Sequence, residues 1–304
     1  MPKQLPPADP IRIGTVGAPQ GTPKSGTVSA IEYSRALGFE HLEIAWVQSV
    51  RVTDESCREM KEAATKQHLS LSVHAPYYIN LNSQTDDLMR KSDERLLAAA
   101  RKGYLAGARD IVFHPGSYHT QPPEQVYERA KQKLLELTSI LRDEGVDVIL
   151  RPETMGKGAM FGTLEETIQL SRDVPGVLPA IDFAHCHART AQLNSYDEFM
   201  GMLKAVEDGL GRHGLDNIHI HLSGIQYGPK GEQCHLPLNE ADMKYRELLQ
   251  ALVDYDVKGT MAIEAPEPFH VADALTIQAT YRRLMKIKAG EAELQGVDDE
   301  AIGE

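Results

Sequence analysis

Short β-branched or apolar runs alternate with longer stretches of helical period along most of the chain. The strand-like runs fall at 11–14, 41–46, 69–74, 110–114, 147–153, 178–182, 217–222 and 259–264. Between them apolar positions recur with a period near 3.6, most clearly at Val126, Ala130, Leu134, Leu137 and Leu141, which form one apolar stripe. Further helical stretches span 28–37, 53–66, 86–105, 164–172, 196–210, 240–253 and 272–287. Eight strands alternating with helices, without a break in composition, predict a single-domain (β/α)8 TIM barrel over 1–289. An open doubly wound sheet is the structural alternative. It is disfavoured because Gly14-Thr-Val-Gly17 lacks the third glycine, and the helix directly behind it, that a phosphate-binding turn needs. The tail, 290–304, holds six acids and no base, a composition expected of solvated, disordered chain.

Composition narrows the function. A length of 304 residues with 41% hydrophobic content suits one large α/β barrel. The net charge of −12 excludes a general basic coat for nucleic acid. A polyanion could therefore bind only where bound cations reverse the local charge. No run of about twenty apolar residues is present, so no membrane span is expected. The start, Met1-Pro-Lys-Gln-Leu-Pro-Pro, lacks a signal peptide's apolar centre, and three cysteines suit a reducing, cytoplasmic setting. Histidine, with 12 copies, is the entry point to the chemistry.

In such a barrel the C-terminal strand ends converge on one mouth. The third strand ends at His74, the fourth at His114, the fifth at Glu153 and the sixth at Asp182, followed by His185. The seventh carries His219 and His221, and the eighth ends at Glu264. Any one of these is ordinarily a solvated or loop-bonded side chain. Six consecutive strand ends of this kind are not. Carboxylates crowded together repel unless cations join them, and mixed imidazoles and carboxylates are ligands for Zn²⁺, Mn²⁺ or Fe²⁺. A multinuclear metal site is the favoured reading. Strand alternation puts His219 and His221 on one face; His221, nearer the mouth, is the ligand candidate and His219 a hydrogen-bonded residue beneath it. His187 competes with His185. Cys186 and Cys234 adjoin histidines, but with no CxxC pair a zinc finger is not expected.

These residues resemble endonuclease IV, the family-2 apurinic/apyrimidinic endonucleases of base-excision repair, within the xylose-isomerase-like barrels. The resemblance runs to about Ala289 through His-Ala-Pro-Tyr at His74, Phe-His-Pro-Gly at His114, Asp182-Phe-Ala-His185, His221-Leu-Ser and the glutamate ending the eighth strand. It implies two or three Zn²⁺ ions, with Mn²⁺ an alternative at one site. His74 and His114 would hold the first, Glu153 would bridge to a second completed by Asp182, His221 and Glu264, and His185 and His235 would hold the third. Glu153 and Glu264 are then the catalytic candidates. Tyr77 matches a position that enters DNA at the lesion, Tyr78 follows it, and a second DNA-contacting loop is placed near 48–51, with Arg51. Lys157, Arg151 and Arg189 are candidate phosphate contacts.

Two departures stand out. The family's Asp-x-His is here Gln233-Cys234-His235, so the third site is either looser, filled by another metal, or completed by Glu232. The family's Glu-Asn-Thr-Ala-Gly is here Glu153-Thr-Met-Gly156, one residue out of step.

The implied activity is hydrolysis of the phosphodiester 5′ to an abasic site in DNA by a monomer without a protein partner. Closely spaced divalent ions generate a nucleophile from water and clamp both oxygens of the displacement. The alternative is a xylose-isomerase-like sugar isomerase or epimerase with one ion on Glu153, Asp182, His221 and Glu264. The four further histidines, His74, His114, His185 and His235, discriminate, because one ion cannot use them all. A damage-binding protein lacking full metal occupancy is a third reading.

Overall fold

A computed structural model describes residues 9–291. Eight parallel strands form one sheet: β1 (Ile11–Val16), β2 (His41–Ala45), β3 (Ser70–His74), β4 (Asp110–Phe113), β5 (Ile149–Pro152), β6 (Ala180–Asp182), β7 (Ile218–Leu222) and β10 (Gly259–Ile263). Their order across the sheet is β5-β4-β3-β2-β1-β10-β7-β6. The two ends of that order meet through parallel bridges Leu150–Val177 and Glu153–Ala180. Thr154 N–H donates to Ala180 O at 3.0 Å and Leu178 N–H to Leu150 O at 3.2 Å, so the sheet closes on itself as a TIM barrel. All eight strands expected from the apolar runs are present, with edges moved by a few residues.

Helices α1 (Thr27–Ala36), α2 (Asp54–Gln67), α3 (Asp86–Leu105), α4 (Pro123–Asp143), α5 (Leu164–Asp173), α7 (Tyr196–Leu215), α8 (Tyr245–Asp254) and α9 (His270–Lys288) wrap the barrel. The α4 stripe of Val126, Ala130, Leu134, Leu137 and Leu141 is buried, as the periodicity requires. Apolar packing is concentrated between the strands and this ring of helices, in one cluster around β2–β5 and another around β6, β7, β10 and β1. The barrel's interior is different. Its inward positions include His41, Glu43, Ser72, His74, Arg151, Glu153, Asp182, His219 and His221, all buried.

Two expectations are corrected. The stretch 240–253 is helical only from Tyr245, preceded by a 3-10 turn at Leu238–Glu240. The long stretch after β7, read as a loop, is an antiparallel hairpin, β8 (Gly224–Gly228) and β9 (Gly231–Leu236). A short helix, α6 (Phe183–Thr190), follows β6 directly, and no separate signal had pointed to it. Apart from Gly290 and Glu291, the acidic tail lies outside the described residues. Among the described residues no helix is long and apolar enough to cross a membrane.

Candidate metal centre

The eight metal-ligand candidates converge at the mouth of the barrel. His74 ends β3, His114 and Glu153 directly follow β4 and β5, Asp182 ends β6, His221 lies on β7, and Glu264 directly follows β10. His185 arrives from the first turn of α6, whose N-terminus is capped by Asp182: Oδ1 accepts from His185 N–H at 2.7 Å. His235 arrives from β9.

Among the described residues five groups have ligand atoms within 4.8 Å of one another; two of them contain Glu43, with His74, His221 and Glu264 and with His41 and His219, and the other three are built from the eight candidates alone. Of these three, the first is His74, His114 and Glu153; the second is Glu153, Asp182, His221 and Glu264; the third is Asp182, His185 and His235. Glu153 belongs to the first two and Asp182 to the last two. Glu153 Oε2 lies 3.4 Å from His74 Nε2 and 3.2 Å from His114 Nε2. Glu153 Oε1 lies 3.2 Å from His185 Nδ1 and 3.4 Å from His221 Nδ1. The Nε2 atoms of His185 and His235 approach to 3.3 Å.

The donor set fits metal ions. Zinc bonds near 2.05 Å in a tetrahedron put neighbouring ligand atoms about 3.3 Å apart, the spacing found here. Glu153 Oε2 and Asp182 Oδ2 are buried without a hydrogen-bond donor, although imidazole nitrogens sit beside them. His185 Nδ1 is bonded to Thr154 O at 3.0 Å, which leaves its Nε2, 3.3 Å from His235 Nε2, as the nitrogen available to an ion.

Electrostatics carries the same demand. Burial pushes the Asp182 carboxyl up, His185 opposes that, and Glu153 reinforces it, leaving it at about 6. Burial disfavours the charged His74 ring, but the nearby Glu153 carboxylate lifts it to about 9. In the same way Asp182 and Glu153 overcome burial and lift His185 to about 10. Burial would also raise Glu153, yet His221, His114 and His185 hold it well below the usual carboxylate range.

The departure at the third group resolves through a β-bulge. Gln226 pairs with Cys234 but Tyr227 pairs with Glu232, so Gln233 is the extra residue. A bulge re-aims the side chains on either side of it. Gln233 is exposed with its amide near Gly228, whereas Glu232 lines the mouth with Oε2 3.6 Å from His185 Nε2. The out-of-step glycine also has a reason. A Cβ at Gly156 would meet Glu232 Cβ at 2.7 Å, so only glycine lets the loop after β5 pass beneath the hairpin.

Other candidates separate. His187 points away, with Nε2 3.2 Å from Asp242 and Nδ1 2.8 Å from Gln192 O, so it does not compete with His185. His219 lies beneath His221, as expected, contacting Thr260 and Glu43. Cys186 and Cys234 are free thiols outside all of these groups. Tyr77 is 48% exposed, with its ring stacked on His114 at 5.0 Å and edge-on to His74 at 5.2 Å. Burial, with Glu264 and Glu153 nearby, pushes its phenol up to about 12. Tyr78 is 60% exposed, and the loop carrying both tyrosines touches the loop after β2 through Tyr77 N–H to Val47 O at 3.0 Å. Arg51 is exposed on that second loop.

Two phosphate candidates are reassigned. Arg151 is buried towards the opposite end of the barrel, where it pairs with Asp110 at 2.7 Å and donates to Pro179 O and Asn217 O. Arg189 is occupied by the carbonyls of Met155, Lys157 and Met160. Lys157 remains exposed beside the mouth. The residue the sequence reading passed over is Glu43 on β2, fully buried and shared between His219 and His221. Its signal was available: strand alternation places His41 and Glu43 inward, and an inward charge on a buried strand requires partners.

The family described as xylose isomerase-like TIM barrel matches residues 31–284. An uncharacterized protein of Methanocaldococcus jannaschii is 36% identical over 273 residues, covering 90% of this chain and 97% of that one. Endonuclease 4 of Thermus thermophilus is 29% identical over 208 residues, covering 65% of this chain and 72% of the relative. Among solved structures, a D-tagatose 3-epimerase-like protein superposes with a TM-score of 0.72 at 18% identity, covering 92% and 100% of the two chains. A structure of endonuclease IV from Thermus thermophilus gives 0.71 at 23% identity, covering 91% and 99%. At these identities the two structures speak for the fold and do not choose between chemistries. The matched family span and the closed barrel together place this chain in the xylose isomerase-like TIM-barrel family.

Proposed function

We propose that the protein is a multinuclear metal-dependent phosphodiesterase that cleaves DNA on the 5′ side of abasic sites. The observation that carries this reading is the overlap of three ligand groups through Glu153 and Asp182. A single-ion sugar isomerase needs only Glu153, Asp182, His221 and Glu264. There His74, His114, His185 and His235 could not all be ligands and would instead have to contact substrate hydroxyls.

In this reading His74, His114 and Glu153 would hold one ion, Glu153, Asp182, His221 and Glu264 a second, and Asp182, His185 and His235 a third, where Glu232 would stand in for the absent aspartate. Bound divalent cations such as zinc supply Lewis-acid polarisation of a phosphoryl oxygen and lower the pKa of water. The protein's own residues do the rest. Glu153 and Asp182, each shared between groups, fix the spacing of the sites. Tyr77 packs against His74 and His114 and supports their ring orientations. The cavity of about 300 Å³ between Tyr77, Met155, Lys157, Met160 and the ligands takes the sugar-phosphate of a base-free nucleotide. Such a nucleotide leaves the helix readily because it has no base to unstack. Cations gathered at the mouth give an overall acidic chain, at −12, a local field that attracts a polyanion. Tyr78 and Arg51 are exposed on two touching loops, which supports a role for them in contacting the flanking duplex.

The test combines elemental analysis of the purified protein with nicking of a duplex carrying one abasic analogue. More than one ion per chain and a nick 5′ to the lesion are expected. One ion per chain, no nick, and turnover of a ketose would transfer the site to the isomerase reading.

A further inference from the structure

Beneath the mouth the barrel holds a second polar layer. Glu43 is fully buried there. Its Oε2 accepts from Ser72 Oγ at 2.5 Å and contacts His219 Nε2 at 2.9 Å. These partners are themselves fixed: His219 Nδ1 contacts Thr260 Oγ1 at 2.7 Å, and Ser72 Oγ lies 3.0 Å from His41 Nε2, whose Nδ1 meets Ser70 Oγ at 2.9 Å. The carboxylate is thus clamped from below through one oxygen. The other, Oε1, faces His221 Nε2 at 2.9 Å as a charge contact; neither atom makes an aligned hydrogen bond, to the other or to any further group.

His221 therefore has two distinct edges. Nδ1 looks towards Glu153 Oε1 at 3.4 Å and Glu264 Oε1 at 3.6 Å, on the mouth side. Nε2 looks down at Glu43. A neutral imidazole has one lone pair and one N–H, and which nitrogen carries the proton is set by the partner of the other. We propose that Glu43 is a positioning residue of the metal centre, orienting His221 and holding its proton on Nε2 so that Nδ1 is the ligand atom. The inference rests on the metal-centre part of the reading above and not on the identity of the substrate. Carboxylate partners of this kind are typically worth 10–100-fold in metal affinity. Glu43 also adds a negative charge under the ions without occupying a coordination position.

Glu43 is close enough to the mouth to be a ligand itself, since it also groups with His74, His221 and Glu264 within 4.8 Å. The experiment separates the two roles. Zinc is titrated against a chromophoric chelator into the full chain and into Glu43→Gln, reading both affinity and ion count. An unchanged count with one ion held about 10–100-fold more weakly is the expected result. Loss of a whole ion would make Glu43 a ligand and overturn the proposal. So would unchanged affinity beside a lowered melting point of the metal-free protein, the signature of a purely structural role. Should Glu43→Gln fail to fold, Ser72→Ala leaves the carboxylate in place but removes its clamp; the same ion should weaken several-fold, and no change would overturn the proposal. Long-range ¹H–¹⁵N spectra of the zinc-loaded wild type should show His221 protonated on Nε2, and protonation on Nδ1 would overturn it. A wild type that binds no ion defeats the metal-centre reading and this inference together. A normal wild type beside an unaffected Glu43→Gln defeats this inference alone.

Discussion

The two ends of the barrel solve the same electrostatic problem in opposite ways. At the N-terminal end Asp110 is taken out of water beside Arg151, whose guanidinium also donates to two backbone carbonyls. Burial would push Asp110 up, but Arg151 holds it below the ordinary carboxylate range. At the mouth Glu153, Asp182 and Glu264 come together, and among the described residues no lysine or arginine is paired with any of them. Asp182 is pushed up to about 6 instead. Where charge serves only the fold, the chain supplies its own counter-ion. At the mouth the carboxylates face only imidazoles, side chains that can carry a proton or ligate a metal ion.

The largest expected effects come from exchanging these situations. Glu153→Gln removes the carboxylate shared by two ligand groups while keeping its volume. It should lower the ion count and reduce nicking of abasic duplex by about three orders of magnitude, since metal polarisation is worth several kcal/mol. The fold should survive. Arg151→Met should do the reverse, costing about 3–5 kcal/mol in urea unfolding because Asp110 is left unpaired, with the ion count unchanged. If Arg151→Met lost ions, or Glu153→Gln kept them, the contrast between the ends would collapse.

The pH dependence of the metal-free and zinc-loaded proteins should diverge. His74 and His185 are raised to about 9 and about 10, above the imidazole value near 6.5 in an unfolded chain. Their contribution to metal-free stability is complete below about pH 6.5 and is lost as pH rises through those folded values. Asp182, raised to about 6, acts in the same direction below neutrality. Zinc requires the same imidazoles unprotonated, so its affinity climbs as they lose protons. The rise in melting temperature on adding zinc should therefore grow from pH 6 to pH 9. A rise that shrank over that interval would mean that these histidines do not bind the ion.

Tyr77 and Tyr78 sharpen the comparison within the mouth itself. A residue that only enters DNA at the lesion, the role the resemblance implies for Tyr77, would on removal weaken lesion-DNA affinity and spare metal content. The Tyr77 ring, however, lies on two ligand imidazoles. Tyr77→Ala should now lower both, whereas Tyr78→Ala should weaken binding of abasic duplex by about 1–2 kcal/mol, the scale of a base-stacking contact, and spare zinc affinity. Fluorescence anisotropy and chelator competition measure the two quantities separately.

Much of this was legible in advance because a barrel reports its site through periodicity. Once the apolar runs fixed eight strands, the residue ending each one was fixed too, and His74, His114, Glu153, Asp182, His221 and Glu264 converge as that logic requires. Less legible were features set by pairing between distant segments. Nothing local says that 224–236 forms a hairpin, or that a bulge at Gln233 turns Glu232 towards His185. Arg151, a candidate phosphate contact from the sequence, lies two residues before Glu153. The same alternation that sends Glu153 inward at the top sends Arg151 inward nearer the bottom, next to Asp110. Glu43 escaped for a related reason: it ends no strand and sits one layer down.

The smallest effect concerns the remaining bases. Arg189 donates to the carbonyls of Met155, Lys157 and Met160 and so holds the loop that carries Lys157 to the edge of the cavity. Lys157 itself is exposed and has no ion pair among the described residues. If Lys157 contacts a phosphate, Lys157→Ala should weaken binding uniformly across duplex sequences and reduce the slope of log affinity against log salt by about one. Arg189→Ala should leave that slope intact or alter it only through Lys157, because its charge is spent on carbonyls. A double variant therefore decides the matter: its salt slope should equal that of Lys157→Ala alone. A further drop would show that Arg189 reaches the DNA after all, and that the charge at this rim is not as completely committed to the fold as the charge at the far end.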